Sequence, residues 1–286
     1  MKKIVNLTFI IGFIVIVSCK TDNRPISQDK SVYDKVIESG TIRASYAIYP
    51  PYCLKNPNTG EFEGIMVEIL EHACEKLQLK IEWTEEVGWG TIFEGLNSNR
   101  YDIFGAGVWR NASRGKVGDF SIPTFYNPIL AWGRADESRF INNLQAINSP
   151  DVKISTLDGA MDDLIAQADY SKAERVSIPQ LNPWTDVLLN ITTQKADVTF
   201  AEPGAVKPFL AKNPGTLKIL DKRPVRVFAI CYAFKLGEDE FKTMLNSALE
   251  ETINEGFVEK TLQKYEVDPG DLYRVALPYQ LPSEKK

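Results

Sequence analysis

The chain of 286 residues has a single histidine, His72, which argues against imidazole-rich metal sites and against Ser-His-Asp hydrolysis. It has four cysteines, at positions 19, 53, 74 and 231, and no C-x-x-C pair among them. A dense disulfide framework, a zinc knuckle and a thioredoxin-type motif are therefore absent. There is no basic excess, with Lys+Arg 33 against Asp+Glu 38, and no segment concentrates positive charge. A phosphate-backbone or nucleic-acid partner is thus not expected. Nor is there an apolar run of the roughly 20 residues that a spanning helix requires. What remains is a mixed-charge chain of ordinary aromatic content, long enough for one large domain or for two lobes with separate cores.

The strongest local signal is N-terminal. Lys2 and Lys3 precede a short apolar run over residues 10–17, followed by Ser18 and Cys19. A basic start, an apolar middle and a small residue before a cut describe an export signal. Val15-Ile16-Val17-Ser18-Cys19 resembles a bacterial lipobox, with Cys19 as the lipidated first residue of the mature chain. The alternative is a non-lipidated signal peptide or a retained anchor. The expectation is a signal peptide at 1–18, a polar tether at 19–31, and a protein held on a bacterial membrane in the periplasm or cell envelope. With Cys19 lipidated, three cysteines remain, so at most one bridge can form. Cys53 and Cys74 are either bridged or buried free thiols.

From residue 41 onward, strand and helix signals alternate. Residues 41–47 read as a strand, and Ile65, Ile69, Ala73 and Leu77 recur at helical spacing. Residues 80–83 read as a strand, 92–96 as a short helix and 101–105 as a strand. After Pro150 the alternation restarts, with strands at 152–157, 175–178, 197–200 and 217–220 and helices at 160–168, 184–193 and 204–211. A long β-prone stretch at 226–235 precedes two helices, 238–254 and 257–264, separated by Gly256. The order predicts an α/β protein with parallel sheets in two lobes and a cleft between them. The lobes are expected at 32–128 with 229–267 and at 129–228, and residues 268–286 as a tail on the surface or disordered.

Six motifs in register carry a resemblance. Tyr49-Pro50-Pro51-Tyr52 stands where the family has Y-x-P-F, and Gly64-Ile65-Met66-Val67-Glu68-Ile69 where it has G-F-x-V-D-L. Trp89 through Leu96 and then Tyr101-Asp102-Ile103 match W-x-x-x-x-x-x-L and the R-x-D-x strand. Ala106-Gly107-Val108, Arg114 and Asp119-Phe120-Ser121-Ile122-Pro123 match A-G-x, R and D-F-S-x-P. Lys195-Ala196-Asp197-Val198 and Asn254-Glu255-Gly256 complete the series. Over about residues 36–267 the chain resembles the family 3, amino-acid type, extracellular solute-binding proteins of ABC transporters. That resemblance implies a two-lobed periplasmic-binding-protein (type II) fold with a hinge and an inter-lobe ligand cleft.

It also implies roles. Arg114 falls on the position that binds a ligand carboxylate, where a planar fork of donors suits the task; Arg110 is its neighbour and rival. Tyr49 and Trp89 fall on the aromatic wall, and Glu202 on the acidic position that meets an ammonium. Gly107 and Trp109, and Gly159, Ala160 and Met161 at the start of a helix, supply the remaining ligand-facing positions. Two of these depart from the family pattern: Trp109 replaces a hydroxyl residue, and Asp158-Gly159-Ala160-Met161 lacks the usual Thr and Ser. Asp158 would repel a carboxylate if it pointed inward and would not if it capped its own helix. Trp184 is either a further wall or core, and Asp162 and Asp163 are explained by the helix dipole.

The expected function is capture of a polar amino acid, or a related amine-bearing solute, by a lipid-anchored monomer. It would deliver that solute to a membrane permease, with no cofactor, metal or catalysis. A bulky amino acid and a cationic amine held by cation–π contacts both suit the aromatic pocket. The competing readings are a periplasmic enzyme on the same scaffold, similar to cyclohexadienyl dehydratases, and a ligand-sensing module.

Overall fold

The computed structural model describes residues 30–275. The expected signal segment, Cys19 and most of the tether lie outside the described residues, as do residues 276–286.

The chain opens with α1 (Val32–Ser39), β1 (Thr41–Tyr46), a small hairpin of β2 (Leu54–Lys55) and β3 (Phe62–Glu63), and α2 (Ile65–Lys76). It continues through β4 (Lys80–Glu86), α3 (Ile92–Asn97), β5 (Ile103–Trp109), β6 (Asp119–Phe120) and the long β7 (Phe125–Arg134). A second α/β unit follows: β8 (Lys153–Leu157), α4 (Met161–Asp169), β9 (Glu174–Ile178), α5 (Thr185–Thr192), β10 (Val198–Ala201), α6 (Pro203–Lys212) and β11 (Leu217–Ile219). The chain returns along β12 (Arg226–Phe234) and closes with α7 (Asp239–Asn254) and α8 (Phe257–Tyr265).

In the first lobe β1 lies between β4 and β5, parallel to both. In the second, β8 lies between β9 and β10, again parallel. The lobes are joined by β7 and β12, which pair antiparallel from Phe125↔Ile230 to Ile129↔Arg226. The far half of β12 then pairs with β5 of the first lobe, and the far half of β7 with β10 and β11 of the second. Each long strand therefore serves both sheets. Bending between the lobes must pass through this paired stretch, which makes it the hinge.

Core packing follows the helical periodicity. Ile65, Ile69 and Ala73 of α2 are buried, as are Phe241, Leu245 and Leu249 of α7, and the two helices pack together. Each fully buried Leu, Ile or Phe contributes on the order of 1.5–3 kcal/mol. Cys53, Cys74 and Cys231 are all buried free thiols, so the bridge between Cys53 and Cys74 does not form.

Three features differ from the sequence expectation. Helix α1 is an addition to the sequence reading: Val32, Tyr33, Val36 and Ile37 recur at helical spacing but within only eight residues; Ser31 caps it, with its hydroxyl oxygen accepting from Asp34 N at 3.0 Å, and Val32 and Val36 are its buried face. The strand expected at 101–105 is displaced to Ile103–Trp109. Finally, residues 268–275 of the expected tail are packed against both lobes. Leu272 and Asp271 are buried, and Tyr273 pairs with Tyr126 at the start of β7. Lys207 of α6 bridges Asp268 and Asp271 at 2.6 and 2.5 Å, while Arg274 binds Glu259 and Glu266 of the first lobe.

Candidate ligand-binding cleft

The loop after β1 places two tyrosines in the cleft. Tyr49 N–H donates to Cys53 O, and Tyr52 and Cys53 N–H both donate to Tyr49 O, so the loop folds back on itself. The first free N–H groups of α2, from Ile65 and Met66, donate to the carbonyls of Pro51 and Tyr52. Gly64 makes this docking possible: it has φ 123°, and a Cβ there would stand 2.7 Å from Tyr52 O. The Tyr49 and Tyr52 rings consequently stack, with centroids 5.4 Å apart. Tyr52 stacks in turn on Phe125 of β7, and Tyr49 meets Trp89 and Trp184 edge-on, each at 5.6 Å.

The lobes meet at the loop bearing Trp89. Gly90 N–H donates to Gln180 Oε1 at 3.1 Å. A Cβ on Gly159, which has φ 72°, would stand 2.9 Å from the Gly90 backbone. Glycine at 159 is thus required twice, by its left-handed conformation and by the close approach of the opposite lobe.

The cavity between the lobes is lined by Tyr49, Trp89, Gly107, Trp109, Arg114, Ala160 and Met161, all expected from the sequence. Gly159, also expected, is not on this lining; its carbonyl accepts from Arg114 Nη2 at 3.4 Å. Glu202 is not on the lining; it stands behind Tyr49 and Tyr52, fully buried. Tyr52, Asn127, Asp162, Trp184, Phe200 and Ile230 also line the cavity. Of these only Trp184 is a wall candidate on the sequence alone. Tyr52 had a usable signal, its place in the same Tyr-Pro-Pro-Tyr motif as Tyr49.

Arg114 follows a turn in which Asn111 Oδ1 accepts its backbone N–H at 2.9 Å. Its guanidinium is buried and donates to Trp109 O at 3.1 Å as well as to Gly159 O, but no carboxylate pairs with it among the described residues. Burial alone pushes it down to about 10. Its rival Arg110 is exposed. Asp158 is also exposed and accepts from the Ser177 hydroxyl, so it neither caps α4 nor faces the cavity.

Glu202 is the N-cap residue of α6, yet its side chain does not cap that helix. Both carboxylate oxygens are buried without a hydrogen-bond partner. Burial raises it to about 7, against the downward pull of its own backbone and of the nearby Tyr49 and Tyr52 hydroxyls. Asp162 differs from the dipole explanation by being buried on the cavity wall. Its oxygens accept Leu157 N–H at 3.1 Å and Asp163 N–H at 2.9 Å, and burial nonetheless raises it to about 8.

A pH dependence follows. Between their ordinary values near 4 and their native values, Glu202 and Asp162 hold protons that the unfolded chain lacks. The ligand-free protein should therefore lose stability as pH rises from 5 to 8, with a slope approaching ~1.4 kcal/mol per pH unit for each group. Carboxylates held low by arginines, such as Glu137 and Glu259, titrate below this window. Melting curves should give a higher Tm at pH 5 than at pH 8, and Asp162→Asn with Glu202→Gln should flatten the difference. An equally steep fall in the double variant would contradict this assignment.

Residues 42–268 match the family model of bacterial extracellular solute-binding proteins, family 3. The chain belongs to this family. This solute-binding protein is similar to a probable amino-acid ABC transporter-binding protein of Haemophilus influenzae, 25% identical over 79% of this chain and 84% of that one. It is also similar to the L-cystine-binding protein TcyA of Bacillus subtilis, 20% identical over 92% and 97% of the two chains. Among solved structures it shares its fold with a cysteine-binding protein from Campylobacter jejuni, with TM-score 0.73, 16% identity and coverage of 85% and 99%. An ancestral amino acid-binding protein described as a precursor of cyclohexadienyl dehydratase has TM-score 0.72, 21% identity and coverage of 82% and 99%. The two-lobed fold of this solute-binding protein is that of these solved binding proteins.

Proposed function

We propose that this solute-binding protein captures a zwitterionic amino acid between its lobes and delivers it to the permease of an ABC importer. The observation that carries the reading is a pair of buried ionisable groups of opposite charge, Arg114 on the cavity wall and Glu202 just behind its Tyr49 and Tyr52 lining, neither with an ionic partner among the described residues. Buried charges are costly unless compensated, so the pair is matched to a molecule that brings a carboxylate and an ammonium. Arg114 takes the carboxylate, aided by N–H groups at the start of α4 near Gly159, Ala160 and Met161. Glu202, behind Tyr49 and Tyr52, is the counter-charge for the ammonium, and Tyr49, Trp89, Gly107 and Trp109 enclose the remainder. Relatives named for amino acids and cystine support this solute class.

Binding needs no chemistry on the solute. In the reading we favour, the protein acts as a monomer, is exported by the signal at 1–18 and is held at the membrane by lipid on Cys19. The basic–apolar–small pattern of that segment supports export, and the resemblance of Val15-Ile16-Val17-Ser18-Cys19 to a bacterial lipobox supports the lipid anchor.

The test is a thermal-shift screen of the protein against the twenty protein amino acids, L-cystine, polyamines and cyclohexadienyl acids. At one hundred times Kd a binder stabilises by ~2.7 kcal/mol, a rise of roughly 5–10 °C for a protein of this size. At least one amino acid should produce it. Consumption of cyclohexadienyl acids with no amino-acid shift would replace this reading with an enzyme.

A further inference from the structure

The second lobe meets the Trp89 loop of the first at two points, Gly159 and Gln180. These residues lie just past the ends of β8 and β9, which are neighbouring parallel strands. Asp158 N–H donates to Ile178 O at 2.9 Å, so the two loops are tied together. Gly159 packs on the Gly90 backbone, and Gln180 makes the polar contact.

The Gln180 side chain lies across Gly88 and ends on Gly90. A Cβ on Gly88 would stand 2.2 Å from Gln180 Oε1, 2.5 Å from its Cδ and 2.7 Å from its Cγ. Glycine at 88 thus leaves the seat in which this side chain rests. From there Oε1 accepts Gly90 N–H at 3.1 Å. The amide spans the residue between the two glycines, Trp89, from the lobe opposite the one that bears it. Within the first lobe Val87 N–H donates to Tyr46 O, and Thr91 N–H to Gly88 O. The indole leans edge-on against Tyr49 and Phe104, with centroids 5.6 and 5.8 Å away. Gly90 N–H is left to the other lobe. Gln180 itself does not line the cavity.

We infer that Gln180 is a positioning residue of this cleft, a latch from the second lobe that holds Trp89 on the cavity wall and slows release of the bound solute. The inference rests on the reading of the cleft as an amino-acid site and adds to it a residue that governs residence time without touching the solute. The bond forms only when the lobes are together, so it acts on the closed state and not on the encounter of solute with an open cleft. Its loss therefore falls on the rate of opening, where most affinity differences within one interface are expressed.

The experiment is stopped-flow measurement of association and dissociation of the strongest amino acid from the screen. It compares wild type with Gln180→Met, Gln180→Glu and Gly88→Ala, and melting of each ligand-free protein is followed in parallel. Methionine keeps the length of the side chain and removes the acceptor; glutamate keeps an acceptor for Gly90 N–H. Gly88 has a backbone outside the left-handed region, so alanine fits there and its methyl group takes the seat of the amide. Gln180→Met and Gly88→Ala should each release the amino acid about three- to tenfold faster, with association within about twofold of wild type and no fall in the ligand-free Tm. Gln180→Glu should release it at close to the wild-type rate. Unchanged dissociation in Gln180→Met, or equal acceleration in Gln180→Glu, would overturn the latch and leave the amino-acid reading standing. A lower ligand-free Tm together with slower association would mark a merely structural role and would also overturn the latch. If a polyamine or a cyclohexadienyl acid binds in place of an amino acid, and Gln180→Met releases it faster, the latch stands and the amino-acid reading falls. If no solute of the screen binds, both fall.

Discussion

At pH 8, Glu202→Gln should weaken amino-acid binding by about 100-fold or more while raising the melting temperature of the ligand-free protein. The first effect follows because the ammonium of the bound solute would lose its counter-charge inside a closed cleft, and breaking a buried ion pair costs ~3–5 kcal/mol. The second follows because the Glu202 oxygens are buried with no hydrogen-bond partner and the carboxyl is held at about 7 by burial. Glutamine keeps the shape and removes the charge that burial penalises. A residue present for folding loses stability when altered, and a residue present for the ligand gains it. The same carboxyl should make affinity pH-dependent. Below pH ~7 it must release a proton before it can pair with an ammonium, so affinity should fall up to tenfold per pH unit on acidification. Titration calorimetry at pH 5.5 and 8 should show this slope in wild type and its loss in Glu202→Gln. Equal affinity in the two proteins at pH 8 would remove Glu202 from the site.

The parts of this cleft that were legible in the sequence are those set by local chain features. Arg114 and Glu202 each follow a strand directly or by a short turn, and Tyr49 precedes a proline pair, so position along the chain exposes them. Asp162 was hidden because a first-turn aspartate has a sufficient local explanation; only the packing of α4 against the cavity shows that it is buried. Asn127 lies within the hinge strand β7, whose residues carry no alternation because they face cores and the cleft in turn. Tyr52 reads equally well as a core aromatic, and its hydroxyl acquires meaning only when α6 of the other lobe arrives over it. The packed segment 268–275 was illegible for a related reason. Its one apolar anchor is Leu272, and the rest of its attachment is ionic, through Lys207 and Arg274.

Arg114 is the second residue whose removal should have a large effect. Of its five side-chain N–H donors, two are accounted for by the carbonyls of Trp109 and Gly159, which leaves three for a ligand carboxylate. Two charge-assisted bonds at roughly 1.5–3 kcal/mol each imply that Arg114→Met weakens amino-acid binding by about 100- to 1,000-fold or more. Arg114→Lys keeps the charge without the planar fork and should recover only part of that loss. Arg110→Ala, a change at an exposed side chain, should leave binding unchanged. The contrast between Arg110 and Arg114 tests the assignment, and the reverse pattern would overturn it. Arg114 also touches both lobes, since Trp109 belongs to the first and Gly159 to the second. A carboxylate seated on it therefore adds to a contact that exists only when the lobes are together. Small-angle scattering should show compaction of the wild-type protein on adding the amino acid that binds it. Arg114→Met should show none at the same concentration, because the group that links ligand binding to closure is gone.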